Sequence, residues 1–344
     1  MTTTSPRTLC FVSSRNLGDA VIHADFVRAL AAANYADRYI VWTFPQAAFL
    51  FEGIKACETI CSDFPMGSTI RAFVQGGFRS FWSAVRRIRR ERPTETLELV
   101  SDFRERWVCG LLGASRNVSP EWEPGHPFRK HSRMGRFNPS ALVTIPATVT
   151  GVYAAYDLVL SALVGTGHTA FSPKPTWPSS PEHIGIHPFA SAPCKLWPQL
   201  HWLSLIDKLH GEYPRANLVL FGSPSDRGIL EELARQTDER TEIFTASLRE
   251  FKAKLQGIDL LIGLDSFSVH LAHSQRVPTI VLVGPNDPQL FTPPGAKAVT
   301  HPGRCVHQPC AGKPKCIGSS FEYICMNSIS PTQVVNKIDS KSIL

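Results

Sequence analysis

Between Gly257 and Pro285 the chain reads GIDLLIGLDSFSVHLAHSQRVPTIVLVGP, and few folds accommodate that stretch. Ile258 to Leu264 is an almost unbroken apolar run of strand length, as a strand buried on both faces requires, and it stops at Asp265 and Ser266. Ser266 is a good helix N-cap, and Val269, Leu271 and Ala272 carry a helical pattern to Val277-Pro278, where the proline turns its predecessor out of the helical region. Thr279 to Val283 is a second strand, so the segment is a βαβ unit. In open α/β sheets ligands sit outside the carboxyl ends of the strands, which places Asp265, Ser266, Phe267, Ser268 and His270 at the mouth of a candidate site. A helix start there offers backbone N–H groups and a positive dipole end to an anion such as a pyrophosphate.

The same grammar opens the chain. Thr8 to Ser13 is a buried-strand pattern, followed by Ser14-Arg15-Asn16-Leu17-Gly18-Asp19, a helical pattern from Ala20 to Ala33, and a strand from Arg38 to Thr43. No Gly-x-Gly-x-x-Gly follows the first strand, which argues against a dinucleotide site. Further strands are expected at Leu97 to Val100, Ile184 to His187 and Asn217 to Phe221, with a helix around Trp202 to His210. Pro120 to Pro139 reads as a long loop. The proline-rich, aperiodic stretch about 166–182 reads as a linker between an N-terminal Rossmann-like domain, 1–165, and a C-terminal one, 183–344.

Charge is uneven along this plan. Residues 1–150 hold 19 Lys and Arg against 13 Asp and Glu, and residues 151–344 hold 17 against 16. An acidic partner for the first half is expected, and nucleic acid, anionic lipid headgroups and a phosphorylated acceptor all qualify. Nucleic acid is set aside because no recognition motif accompanies the modest charge. Phe78 to Pro93 (FRSFWSAVRRIRRERP) places an apolar stripe beside several arginines, which suits either a helix packed on a sheet or an interfacial helix on an anionic membrane. No apolar run approaches the length of a membrane span and Met1 to Pro6 lacks the marks of a signal peptide, so a cytoplasmic protein is expected, with room for a peripheral position on the inner membrane.

Four pieces together resemble family 9 glycosyltransferases, the lipopolysaccharide heptosyltransferase family. They are Asn16-Leu17-Gly18-Asp19; His187-Pro188 through Lys195-Leu196-Trp197-Pro198; Phe221-Gly222-Ser223-Pro224-Ser225-Asp226-Arg227; and Asp265-Ser266 with His270-Leu271-Ala272, continued by Gly284-Pro285-Asn286-Asp287-Pro288. The Cys310, Cys316, Cys325-Met326 tail fits the same pattern. The resemblance implies an α/β protein of GT-B fold: two Rossmann-like domains facing across a cleft, the first binding the acceptor and the second the nucleotide-sugar donor. It implies inverting transfer of a heptose, most naturally from ADP-heptose, to a lipid-linked glycan such as lipopolysaccharide core.

Inverting transfer needs a base for the acceptor hydroxyl and fixed positive charge for the departing diphosphate. By the resemblance Asp19 is that base, Arg15 and Asn16 lie on the acceptor side, and Ser191, Lys195, Asp265, Ser266, Phe267, Ser268 and His270 bind the donor. No cofactor is implied. With no Asp-x-Asp in the chain, Lys195 and helix dipoles are expected to neutralise the diphosphate in place of Mg²⁺, so no metal is assigned to the reaction. The chain departs from the family pattern at Phe189 and Phe267, where glycine is usual, and this leaves open another donor such as a hexose nucleotide, or a non-catalytic sugar-nucleotide-binding relative. Cys305, Cys310, Cys316 and Cys325 lack the paired spacing of common zinc modules and read as thiols or as a metal site.

Overall fold

The computed structural model describes residues 6–64, 77–126, 139–171, 174–237, 240–303, 305–310 and 313–339. The chain divides into two compact units, Met1–Phe171 and Ser172–Leu344. Each holds a parallel six-stranded sheet. In the first, β1 (Thr8–Ser13), β2 (Arg38–Thr43), β3 (Cys57–Cys61), β4 (Glu95–Leu97), β5 (Arg116–Trp122) and β6 (Ala141–Ile145) lie in the order β3-β2-β1-β4-β5-β6. In the second, β7 (His183–His187), β8 (Asn217–Gly222), β9 (Thr241–Thr245), β10 (Leu260–Leu264), β11 (Thr279–Val283) and β12 (Lys297–Thr300) lie in the order β12-β11-β10-β7-β8-β9. Counted from its own first strand, each sheet has the doubly wound order 3-2-1-4-5-6. The expected two Rossmann-like domains are therefore present. In each the order reverses between the first and fourth strands, β1/β4 and β7/β10.

The central strands are apolar because both their faces are covered. Every residue of β1, β10 and β11 is buried. With a side-chain period of two, Leu260, Ile262 and Leu264 of β10 join Ile184, Ile186, Ile280 and Leu282 in one core, against the helices Gln199–Glu212 and Pro331–Asp339. Val281 and Val283 point the other way, onto Val269.

Helix α1 (Leu17–Ala32) starts earlier than the periodicity suggests, with Asn16 at the cap, so Asp19 lies inside the first turn and is not itself the capping residue. Helix α2 (Phe78–Arg90) buries Phe81, Ala84, Val85 and Ile88 at helical spacing against Cys10, Val12, Ile40 and Trp42. This decides between the two uses of the stripe: most of it is spent on the sheet. Phe78 stays exposed, as do Arg79, Arg86, Arg87, Arg89 and Arg90. Among the described residues no helix is long and apolar enough to cross a membrane.

Two expectations are corrected. The strand expected at Leu97 to Val100 ends at Leu97, because the Glu98 carboxylate accepts hydrogen bonds from the amides of Val100 (2.7 Å) and Ser101 (2.8 Å) and bends the chain off the sheet. Ser101 takes up this bend at φ +60°. The loop expected from Pro120 is strand as far as Trp122, since Pro120 lies in β5 and pairs with Val143 of β6; the part of that loop from 127 to 138 is outside the described residues.

Ile88 is fully buried while Arg89 beside it is exposed. Ile88→Ala is expected to lower the unfolding free energy by about 2–5 kcal/mol through the cavity it leaves, and Arg89→Gln by less than about 0.5 kcal/mol. Denaturant unfolding of both variants measures this, and near-equal midpoints would contradict the packing of α2 on the sheet.

Candidate functional site

In the C-terminal unit the site is built where the strand order reverses. A short turn after β7, Pro193–Lys195, carries the lysine, and β10 ends on the carboxylate. Lys195 Nζ donates to Asp265 Oδ2 at 2.9 Å and to the Asp265 carbonyl at 2.8 Å. Asp265 also accepts from the Asn286 side chain, which follows β11. Three adjacent strand ends are thus tied by one buried carboxylate. Lys195 keeps about 20% of its side chain exposed, against 8% for Asp265.

Among the described residues, the next helices of seven or more residues after α2 are, in chain order, α3 (Phe103–Gly110), α4 (Val152–Val164), α5 (Gln199–Glu212), α6 (Arg227–Arg235), α7 (Leu248–Lys254) and α8 (Phe267–Ser274). Helix α8 is capped by Ser266, whose hydroxyl bonds the Ser268 hydroxyl (3.1 Å) and no backbone amide. His270 is buried on the first turns of this helix; burial pushes its pKa down to about 4, with Asp265 opposing the shift and Lys195 and His273 adding to it. It is a neutral ring at neutral pH. Positive charge at this strand edge therefore comes from Lys195 and the helix end, not from His270. Ser191 is exposed on the loop four residues before Lys195.

Phe189 and Phe267 both meet the His187 ring edge-on, at 5.8 and 5.4 Å between centroids, and Phe251 completes the group at 5.6 Å from His187. Burial lowers the His187 pKa to about 4, so this ring too is neutral. A Cβ on Gly222 would lie 3.0 Å from the Phe189 ring. The two phenylalanines are held by this cluster and half-buried, forming an aromatic wall beside the start of α8.

The N-terminal unit repeats the arrangement with different chemistry. After β1, Arg15 Nη2 bonds Asp102 Oδ2 and Glu105 Oε2, each at 2.9 Å, and Ser14 Oγ bonds Glu105 Oε1 at 2.9 Å. Asp102 caps helix α3 (Phe103–Gly110), which follows β4, and Glu105 is fully buried on it. Asn16 is exposed and its side-chain amide reaches Asp19 Oδ2 at 3.3 Å. Burial alone would raise the Asp102 pKa, but Arg104 and Arg15 together hold it well below the usual carboxylate range. Glu98 behaves oppositely: burial pushes it up to about 7, against the hydrogen bond from Ser119.

The structure brings together Lys195 and Asp265 in one unit, and Arg15, Asn16 and Asp19 in the other. Sequence reasoning missed Asn286, Phe251 and the Glu98, Asp102, Glu105 group as parts of a site; all except Phe251 and Glu105 follow the ends of central strands, which was the available signal. Cys194, Cys305, Cys310, Cys316, Cys325 and His307 line a small pocket beside Pro285. Among the described residues no group of three or more His, Cys, Asp or Glu stands so as to hold a metal ion.

Glu98 favours its protonated form in the folded chain, so its contribution to stability is complete below its unfolded pKa and is lost as pH rises through about 7. Wild-type thermal stability is therefore expected to fall relative to Glu98→Gln between pH 5 and about pH 8. Parallel melting curves across that window would contradict the burial of the carboxyl.

Residues 165–319 match the family model described as "Glycosyltransferase family 9 (heptosyltransferase)". Lipooligosaccharide heptosyltransferase 2 of Haemophilus influenzae is 31% identical over 118 residues, a match covering 32% of this chain and only 33% of that relative's length. Among solved structures, ADP-heptose lps heptosyltransferase II of E. coli aligns with a TM-score of 0.65 at 17% identity, over 97% of this chain and 98% of that one. E. coli heptosyltransferase WaaC with ADP-2-deoxy-2-fluoro heptose aligns with a TM-score of 0.66 at 15% identity, over 96% and 99%. At these identities the structural likeness is one of fold, the GT-B architecture, whereas the sequence match falls on the unit that holds Lys195 and Asp265. Residues 165–319, most of the C-terminal unit, are thus similar to glycosyltransferase family 9, the heptosyltransferases, and the chain as a whole is similar to them in fold.

Proposed function

We propose that this protein is an inverting, metal-independent glycosyltransferase that moves a heptose from ADP-heptose onto lipopolysaccharide core or a related bacterial surface glycan. The observation that carries this reading is the Lys195–Asp265 pair at the β7/β10 strand ends, within the segment that matches the family model. Asp265 is suited to hold donor sugar hydroxyls, while Lys195 and the start of α8 offset the charge of the diphosphate. Ser191, Ser266 and Phe267 are the further proposed donor contacts, and Ser268 and His270, both buried, are proposed to support the start of α8 behind them. The E. coli structure holding ADP-2-deoxy-2-fluoro heptose supports this class of donor.

In the proposed reaction an acceptor hydroxyl oxygen attacks the anomeric carbon from the face opposite the leaving group. The bond to the nucleoside diphosphate breaks with its electron pair, and the hydroxyl proton passes to Asp19. Arg15 and Asn16, at the start of α1, are the proposed acceptor contacts. The lipid-linked acceptor would be met at the cytoplasmic face of the inner membrane, where the arginine face of α2 attracts anionic headgroups even though its apolar stripe is buried in the protein. A hexose nucleotide is the second reading of the donor, favoured by the aromatic wall of Phe189 and Phe267.

Asp19→Asn keeps the side-chain shape but cannot accept a proton. In a transfer assay with EDTA present, wild type is expected to turn over and Asp19→Asn to lose about 10²- to 10⁴-fold in kcat. Loss of wild-type activity on chelation, restored by Mg²⁺ or Mn²⁺, would overturn the metal-independent mechanism, and turnover by Asp19→Asn close to wild type would remove Asp19 from the base role.

A further inference from the structure

Arg15 does more in this fold than face an acceptor. Its guanidinium is spent on two buried carboxylates from the other side of the β1/β4 switch point: Nη2 reaches Asp102 and Glu105, and Nε stands 2.6 Å from Glu105 Oε1 without hydrogen-bond alignment. Only 17% of the Arg15 side chain is exposed, and none of the Glu105 side chain. Glu105 also takes the Ser14 hydroxyl, so one carboxylate grips two consecutive residues of the turn after β1. From there the link to Asp19 is short. The Asn16 carbonyl accepts from Ala20 N at 3.0 Å to open α1, and the Asn16 side chain reaches Asp19 Oδ2.

A buried ion pair adds little net stability, since desolvating both charges offsets most of their attraction. What such a pair supplies is geometry. Further ionisable groups surround the pair: Arg104 shares Asp102, Arg106 lies 3.9 Å from Glu98, and His23 of α1 and Tyr156 of the helix Val152–Val164, both uncharged, lie within the electrostatic reach of Arg15.

We propose that Glu105 and Asp102, acting through Arg15 and Ser14, are positioning residues that fix the Ser14–Asp19 turn and thereby the Asp19 carboxylate. The consequence for catalysis rests on the base role proposed above for Asp19; the structural part does not. A misplacement of about 1 Å at a reacting group can cost on the order of 10²-fold in rate, so the clamp acts on kcat. An Arg15 that served only as an acceptor contact would act on the acceptor KM.

A double-mutant cycle separates these. Arg15→Gln and Glu105→Gln are each expected to lower kcat by about 10²-fold, with the double variant no worse than either single change and the acceptor KM unchanged in Glu105→Gln. Amide hydrogen exchange gives a readout free of activity: Glu105→Gln should speed exchange at Asn16 through Ala20 and leave the C-terminal unit unchanged. Should Glu105→Gln fail to fold, Ser14→Ala removes one contact alone and should move exchange in the same direction. Exchange and kcat unaltered in the Glu105 and Ser14 variants, with Arg15→Gln raising only the acceptor KM, would overturn the proposal. If Asp19→Asn retains activity while exchange at residues 16–20 responds as stated, the base assignment fails and the clamp stands.

Discussion

A lysine held against a carboxylate across a chain separation of 70 residues is the interaction that ties the central strand ends of the C-terminal unit together. Lys195 and Asp265 meet because β7 and β10 are neighbours in a sheet whose order reverses between them. At such a point the chain leaves the two strand ends in opposite directions and opens a crevice above them. Under the proposed function, fixed charge placed there would need no reorganisation on binding a diphosphate. The N-terminal unit uses the same topology: Arg15 after β1 is held by Asp102 and Glu105 after β4. One architecture thus supports two charged constellations, a lysine on one carboxylate and an arginine shared between two, each with most of its side chain buried.

The elements behind Lys195 make its position stiff. Trp197, two residues on, is buried and donates its indole N–H to the Ile329 carbonyl at 3.0 Å, tying the turn to the C-terminal tail. Gly284 lets that tail approach β11, since a Cβ there would stand 2.3 Å from Met326 Sδ. Cys310 N bonds the Pro285 carbonyl, one residue before Asn286. The cysteines of the tail therefore pack behind the loop that completes the Asp265 site, which gives them a structural place whatever their chemistry.

Much of this was legible in the sequence, and what was missed has a common cause. β1, β2 and β11 were readable to the residue, and β7, β8 and β10 nearly so, because strands covered on both faces must be apolar throughout. Five strands were not expected: the interior strand β5, whose Pro120 reads as loop, and β3, β6, β9 and β12, which are the sheet edges. The edges are partly exposed and carry residues such as Glu58, Thr144, Glu242 and Lys297, so no apolar run marks them. Lys195, Asp265 and Asp19 were legible from motif and strand-end position. Glu105 was not, because its partners lie 90 residues away and a glutamate inside an amphipathic helix looks like surface until the fold buries it.

Lys195, fixed at the β7/β10 strand ends, is the charge proposed to meet a nucleoside diphosphate. Titration calorimetry of ADP and of adenosine against wild type and Lys195→Ala tests this role most directly. Removing a hydrogen bond to a charged group costs about 1.5–3 kcal/mol, so ADP is expected to bind the variant roughly 10- to 100-fold more weakly while adenosine binds both proteins alike. Equal losses for the two ligands, or no loss of ADP affinity, would contradict it.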